Sequence, residues 1–148
     1  MSHQLPWQTL IEIAQKEADS AAQTLGHAVN QHQQAQNQLD MLLKYRDEYQ
    51  GTLGTHSQNG LSIDSLKNHR GFIDRLESVI QKQHEIVSRE KQHIGTCRQR
   101  WQEQFYKMKS FATLAQRQAK TELQRHAKQE QRQLDEHTAL RFQHKRHD

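Results

Sequence analysis

Proline occurs once in the 148 residues, at Pro6, cysteine once, at Cys97, and glycine six times, while aromatic residues make up only 6%. Each scarcity removes a class of structure. With no proline after position 6, no pyrrolidine ring interrupts a helix. A single cysteine forms no internal disulfide, which excludes a disulfide-stapled secreted fold and fits a reducing cytosol. Hydrophobic residues amount to 32%, well under the apolar share of about 45–50%, glycine included, of an ordinary compact domain. A large spherical core is therefore not expected. No apolar run approaches the roughly eighteen residues of a membrane span. Gln4, Gln8, Glu12 and Lys16 interrupt any signal-peptide core at the start. Low hydrophobicity alone would suggest disorder, but the polar residues present are helix formers. Twenty-four glutamines stand among Ala, Leu, Lys, Arg and Glu, which lose least on entering a helix. Such a composition reads as long, solvated helices with a narrow apolar seam, all-α and cytosolic.

Three glycines fall in Gly51-Thr-Leu-Gly-Thr-His-Ser-Gln-Asn-Gly60, the one stretch rich in turn formers. The expected organisation is a single coiled-coil hairpin over 1–148: a helix over about 6–50, a loop over 51–61 and a helix over about 62–145. At about 1.5 Å per residue these helices are on the order of 65 and 125 Å long. Pro6 suits the first turn of one helix. Ser62 can cap the other, and Asp64 suits its positive end.

Alternating steps of three and four from Ile11 pick out Ala14, Ala18, Ala21, Leu25, Ala28, His32, Ala35, Leu39, Leu42, Arg46 and Tyr49. On the second helix every seventh residue from Leu66 is apolar: Ile73, Ile80, Val87, Ile94, Trp101, Met108 and Ala115. Seams sustained for so many heptads indicate a coiled coil. Folding one seam onto the other predicts antiparallel layers whose residue numbers sum to 115. Leu39 then meets Leu76, Ala35 meets Ile80, Ala14 meets Trp101 and Trp7 meets Met108. Small residues face large ones, as close packing requires. Two polar layers also coincide, His32 with Gln83 and Arg46 with His69. The pairing is expected to run out near Phe111, leaving 112–148 unaccompanied.

Catalysis needs groups converging in a water-excluding pocket, which two helices do not enclose. The chain is therefore expected not to be an enzyme and to use no cofactor. His93 and Cys97 share one helical face, but a structural zinc takes four ligands, so Cys97 reads as a core residue. Charge is uneven: residues 1–50 carry three Lys/Arg against six Asp/Glu, and residues 82–148 carry fifteen against eight. A basic helix suits an acidic partner or nucleic acid. Because Glu122, Glu130, Asp135 and Glu136 are interleaved with the cations, an acidic protein surface is the better match, and nucleic acid is not expected.

Aromatic residues mark two candidate docking zones. Near the turn, Tyr45 and Phe72 flank the seam on one side and, with Gln38, Leu42, Tyr49 and Leu76, make a partly exposed apolar patch. Toward the other end, Trp7, Trp101, Phe105, Tyr106 and Phe111 cluster where the unpaired helix begins.

Four segments, Leu10–Gly26 (LIEIAQKEADSAAQTLG), Gln38–Tyr49 (QLDMLLKYRDEY), Phe72–Ile80 (FIDRLESVI) and Arg100–Gln118 (RWQEQFYKMKSFATLAQRQ), resemble the flagellar export FliJ family. The likeness covers essentially the whole chain. It includes the Tyr45/Tyr49 pair, Asn59-Gly60 at the turn, and Trp101 followed by a basic stretch.

The resemblance implies a component of the flagellar type III export apparatus whose hairpin is similar to the central coiled coil of a rotary-ATPase gamma subunit. Implied partners are the hexameric export ATPase FliI, the export gate FlhA and substrate-specific export chaperones. The gate-docking face would be Gln38, Leu42, Tyr45, Tyr49, Phe72 and Leu76, with Val79 and Gln83 extending it. By the gamma-subunit analogy, the terminal end would enter the ATPase ring through Trp7, Arg98, Arg100, Trp101, Phe105 and Phe111. No small-molecule substrate is implied. The expected location is the cytoplasm, with peripheral association at the inner membrane through the gate, and the isolated chain is expected to be monomeric. Two other readings share the hairpin: the equivalent stalk of a virulence-type secretion system, and a generic coiled-coil scaffold.

Overall fold

A computed structural model describes residues 5–60 and 62–146. Leu61, part of the expected loop, and residues 1–4 and 147–148 of the expected 1–148 hairpin lie outside the described residues. Two helices account for nearly all of the rest: α1 over Leu5–Gln58, 54 residues, and α2 over Ile63–Arg146, 84 residues. The long helices pack against each other, and no strand occurs among the described residues.

The expected loop begins eight residues too early. α1 does not stop at 50 but continues through Gly51 and Gly54 to Gln58. Each glycine costs about 1 kcal/mol in a helix, yet the seam outweighs them, because Leu53 follows Tyr49 in register and is half-buried. Leu53 shares a groove with Ile63 and Leu66. The remaining turn is tight. The Asn59 N–H donates to the His56 carbonyl at 3.1 Å, and Gly60 takes φ +88°, a left-handed conformation that glycine reaches without a Cβ clash. Ser62 caps α2 as expected: the Ser65 N–H donates to Ser62 Oγ at 3.2 Å, and the Leu66 N–H to the Ser62 carbonyl at 3.0 Å. Asp64 lies in the first turn, and His144, Lys145 and Arg146 in the last, each sign suiting its end of the helix dipole.

The residues group into two compact units. Unit 2 spans Ala18–Glu103. Its α1 seam is alanine-rich, with Ala18, Ala21, Ala28 and Ala35 all buried, and larger side chains of α2 fill the space opposite. A buried cluster joins Leu39, Leu76 and Ile80, with Leu42, Leu43, Phe72 and Val87 packed against it. Unit 1 combines Met1–Glu17 with Gln104–Asp148. There Ala14 is buried, and the ion pair between Lys107 and Glu17 spans 3.9 Å between exposed groups.

Every seam position named from Ile11 to Tyr49 and from Leu66 to Ala115 is buried or half-buried, so the two faces were identified correctly. Their expected register holds for Leu39, which shares a buried cluster with Leu76, but not at three other positions. Gln83, expected opposite His32, donates its amide to the Ala35 carbonyl at 2.9 Å. His69, expected opposite Arg46, stacks with Tyr49. Within unit 1, Trp7 packs on Phe111 instead of Met108. Each departure is three residues, close to one helical turn, and follows from the longer α1 and shorter turn. The same shift extends seam burial past Phe111 to Gln118, after which every described residue of α2 is exposed.

A methyl group added at Gly51 meets nothing within 4 Å, so Gly51→Ala should raise stability by about 0.5–1 kcal/mol. Gly60→Ala should lower it by roughly 1–2 kcal/mol, because its φ is left-handed. Urea unfolding followed by circular dichroism measures both.

Candidate functional site

Near the turn, unit 2 assembles an aromatic face from both helices. Tyr45 and Tyr49 lie one turn apart on α1, and Phe72 of α2 packs on both. The Tyr49–Phe72 centroids are 4.6 Å apart at 46°, and the Tyr45–Phe72 centroids 6.4 Å apart at 72°, edge to face. His69 packs on Tyr49 at 5.4 Å and 47°, and its Nδ1 hydrogen-bonds with the Tyr49 hydroxyl. Tyr49 is thereby fixed by two neighbours, while Tyr45 stays 52% exposed.

A groove of about 560 Å³ adjoins Tyr45, lined by Gln38, Met41, Leu42, Lys44, Glu48 and Gln83. Gln83 forms its polar floor. The side chain is buried, and its amide donates to the Ala35 carbonyl and, at 3.3 Å, to Gln38 Oε1. Arg46 of α1 reaches Glu77 of α2 at 3.3 Å. All six residues expected on the gate-docking face are thus gathered in unit 2, but not at one depth. Leu76 is a core residue, lying beneath the face, whereas Val79 is exposed. Met41 was missed. It is 72% exposed and stands one turn before Tyr45, a spacing that would have placed it on this face, but it lies off the heptad seam.

The second expected set divides between the units. Trp7, Phe105 and Phe111 belong to unit 1, and Arg98, Arg100 and Trp101 to unit 2. In unit 1 the Trp7 and Phe111 rings meet at 6.4 Å and 58°. Phe105 packs edgewise on Tyr106 at 6.4 Å, and Lys109 Nζ sits 4.9 Å above its ring, a cation–π contact. Tyr106 is exposed. In unit 2 Arg98 and Arg100 are exposed and Trp101 is half-buried.

Metal chemistry finds little support in the donors. Buried Cys97 places Sγ 3.6 Å from His93 Nε2, two donors where a closed zinc site takes four. Among the described residues no group of three or more His, Cys, Asp and Glu converges, and no helix is long and apolar enough to cross a membrane. What the surfaces offer is contact area: apolar rings held by packing and rimmed by amides and charges.

The family model described as Flagellar FliJ protein matches residues 3–147. The chain belongs to the FliJ family. Two curated relatives agree, each called Flagellar FliJ protein. The one from Salmonella typhi is 32% identical over 129 residues, 87% of this chain and 88% of the relative. The one from Escherichia coli strain K12 is 30% identical over 128 residues, 86% and 87% respectively. As a FliJ family member the protein is a flagellar component, and neither relative's name carries an enzyme activity.

The aromatic face divides into framework and handle. Phe72→Ala and Tyr49→Ala should each cost about 2–3 kcal/mol, since both rings are packed. Exposed Tyr45→Ala should cost under about 1 kcal/mol. Thermal melts of the three variants, with helicity at 20 °C as the control, give that order.

Proposed function

We propose that the protein is a non-catalytic stalk and adaptor of flagellar type III export. In this reading it promotes the ring of the export ATPase FliI, links that ring to the export gate FlhA, and escorts the chaperones of export substrates. The observation that carries the proposal is the aromatic face near the turn: Tyr45 held half-exposed on a Phe72–Tyr49 base, beside a groove, in a chain matched to a flagellar family over nearly its whole length. A rigid aromatic that protrudes from a packed base loses little entropy on docking and buries much area, as hot-spot residues do.

Gate docking falls to Gln38, Leu42, Tyr45, Tyr49 and Phe72, with Leu76 supporting them from the core and Met41 added to them. Ring contacts are assigned to Trp7, Phe105 and Phe111 of unit 1 and to Arg98, Arg100 and Trp101 of unit 2. A partner that binds the assembled ring better than its subunits favours assembly by linkage, so no catalytic group is required of the stalk. The reading places the protein in the cytoplasm, held at the membrane only through the gate. Its flagellar family favours this role over a virulence-type stalk or a generic scaffold.

Tyr45→Ala combined with Met41→Ala should weaken binding to the cytoplasmic part of FlhA by at least about tenfold, with the far-ultraviolet spectrum unchanged. Equal affinity for the variant and the parent chain, measured by calorimetry, would remove the face from the gate interface.

A further inference from the structure

A heptad seam repeats itself, so it does not by itself fix where one helix lies along the other. In unit 2 the α2 seam positions Leu66, His69, Ile73, Leu76, Ile80 and Gln83 are all buried or half-buried. A slide of three or four residues carries each onto the place of the next, changing partners while the same stripe stays covered. Leu39 already sits in one cluster with both Leu76 and Ile80, the residues it faces in two registers one step apart. Gln83 and His69 lie against the Ala35 carbonyl and Tyr49. One step back they meet His32 and Arg46, polar side chains that are themselves half-buried. Arg46 bonds Glu77 at 3.3 Å. Asp74, three residues earlier on α2, is exposed and in no ion pair among the described residues, and the same step brings it to where Glu77 stands. The end of α1 has the slack for this. Gly51 and Gly54 lie in its last two turns, where glycine is a poor helix former. Leu53 is the one half-buried residue among the described side chains of 51–58.

We propose that unit 2 is a two-register device. In the register described above, Arg46 is latched to Glu77. In the second, α2 lies three residues, about 5 Å, further from the turn, Arg46 is latched to Asp74, and α1 unwinds from Gly51 to lengthen the turn. Steps of one helical turn between packed elements are an established kind of switch, on a timescale of microseconds to milliseconds. The slide has a consequence for the aromatic face. It carries Phe72 off Tyr49, whose ring centroid lies 4.6 Å away, so the complete face exists in one register only. A partner that prefers either form of the face shifts the population toward that register. The device goes beyond the stalk reading and requires neither the ATPase nor the gate.

Glu48 and Lys91 are exposed, belong to unit 2 and lie far apart along it, so spin labels there read the slide as a distance. The labels are carried by Glu48→Cys and Lys91→Cys in the full-length chain, with the single native thiol removed by Cys97→Ser. Double electron–electron resonance should give a major distance and a second about 5 Å longer. Glu77→Gln should raise the share of the longer distance about two- to fivefold, and Asp74→Asn should lower it by a similar factor. Gly51→Pro ends α1 at Gln50 and withdraws Leu53 from the seam, so the longer distance should become the major one. Circular dichroism verifies that each variant keeps its helices. A single, common distance in the parent, Glu77→Gln and Gly51→Pro chains would overturn the proposal. So would a second distance with the same share in Glu77→Gln and Asp74→Asn, which would assign it to motion of the labels instead of register.

Discussion

Two polar helices stay together here because the alanines on one make room for the larger side chains on the other. A chain with only 32% hydrophobic residues has little apolar surface to spare, and the part of it that is buried lies along one seam. Ala14, Ala18, Ala21, Ala28 and Ala35 are among the most buried residues of the molecule. A larger side chain at any of them would push the backbones apart and open the seam to water for at least a turn on either side. The docking surfaces depend on that closeness. Phe72 reaches Tyr45 and Tyr49 only because the two helices lie near enough for one ring to bridge them.

The periodicity of the apolar residues identified the faces of both helices, residue by residue, because a heptad repeat is a local property of each segment. Register is a different kind of information. It depends on where the chain reverses, and the glycines at 51 and 54 looked like the start of that reversal. Their cost was real but smaller than the benefit of burying Leu53 with its neighbours, so the helix continued, and the contacts of Gln83, His69 and Trp7 moved by three residues while Leu39 still shares a cluster with Leu76. The tight turn was legible in Asn59-Gly60 and the cap in Ser62, since both rest on short-range chemistry.

The aromatic face was legible for the same reason as the seam: Tyr45, Tyr49 and Phe72 stand at fixed offsets from core positions. Its depth was not. Leu76 and Phe72 are separated by a single turn, yet one is core and the other half-exposed, a distinction that follows from the register. Met41 was not legible because it lies off the heptad seam, where periodicity carries no signal, and is exposed.

Beyond Gln118, α2 continues as helix to Arg146 with every described residue exposed. Such a segment draws no tertiary packing energy, so its own propensity carries it. Freed of that constraint, it is also already shaped for association. A partner that settles along Leu123 and Leu134 meets a backbone whose torsions are set, and forgoes much of the ordering entropy, of order 1–2 kcal/mol per residue, that a coil would exact on folding around it. The exposed end of the helix thus holds conformational order in reserve for a surface it does not itself contain.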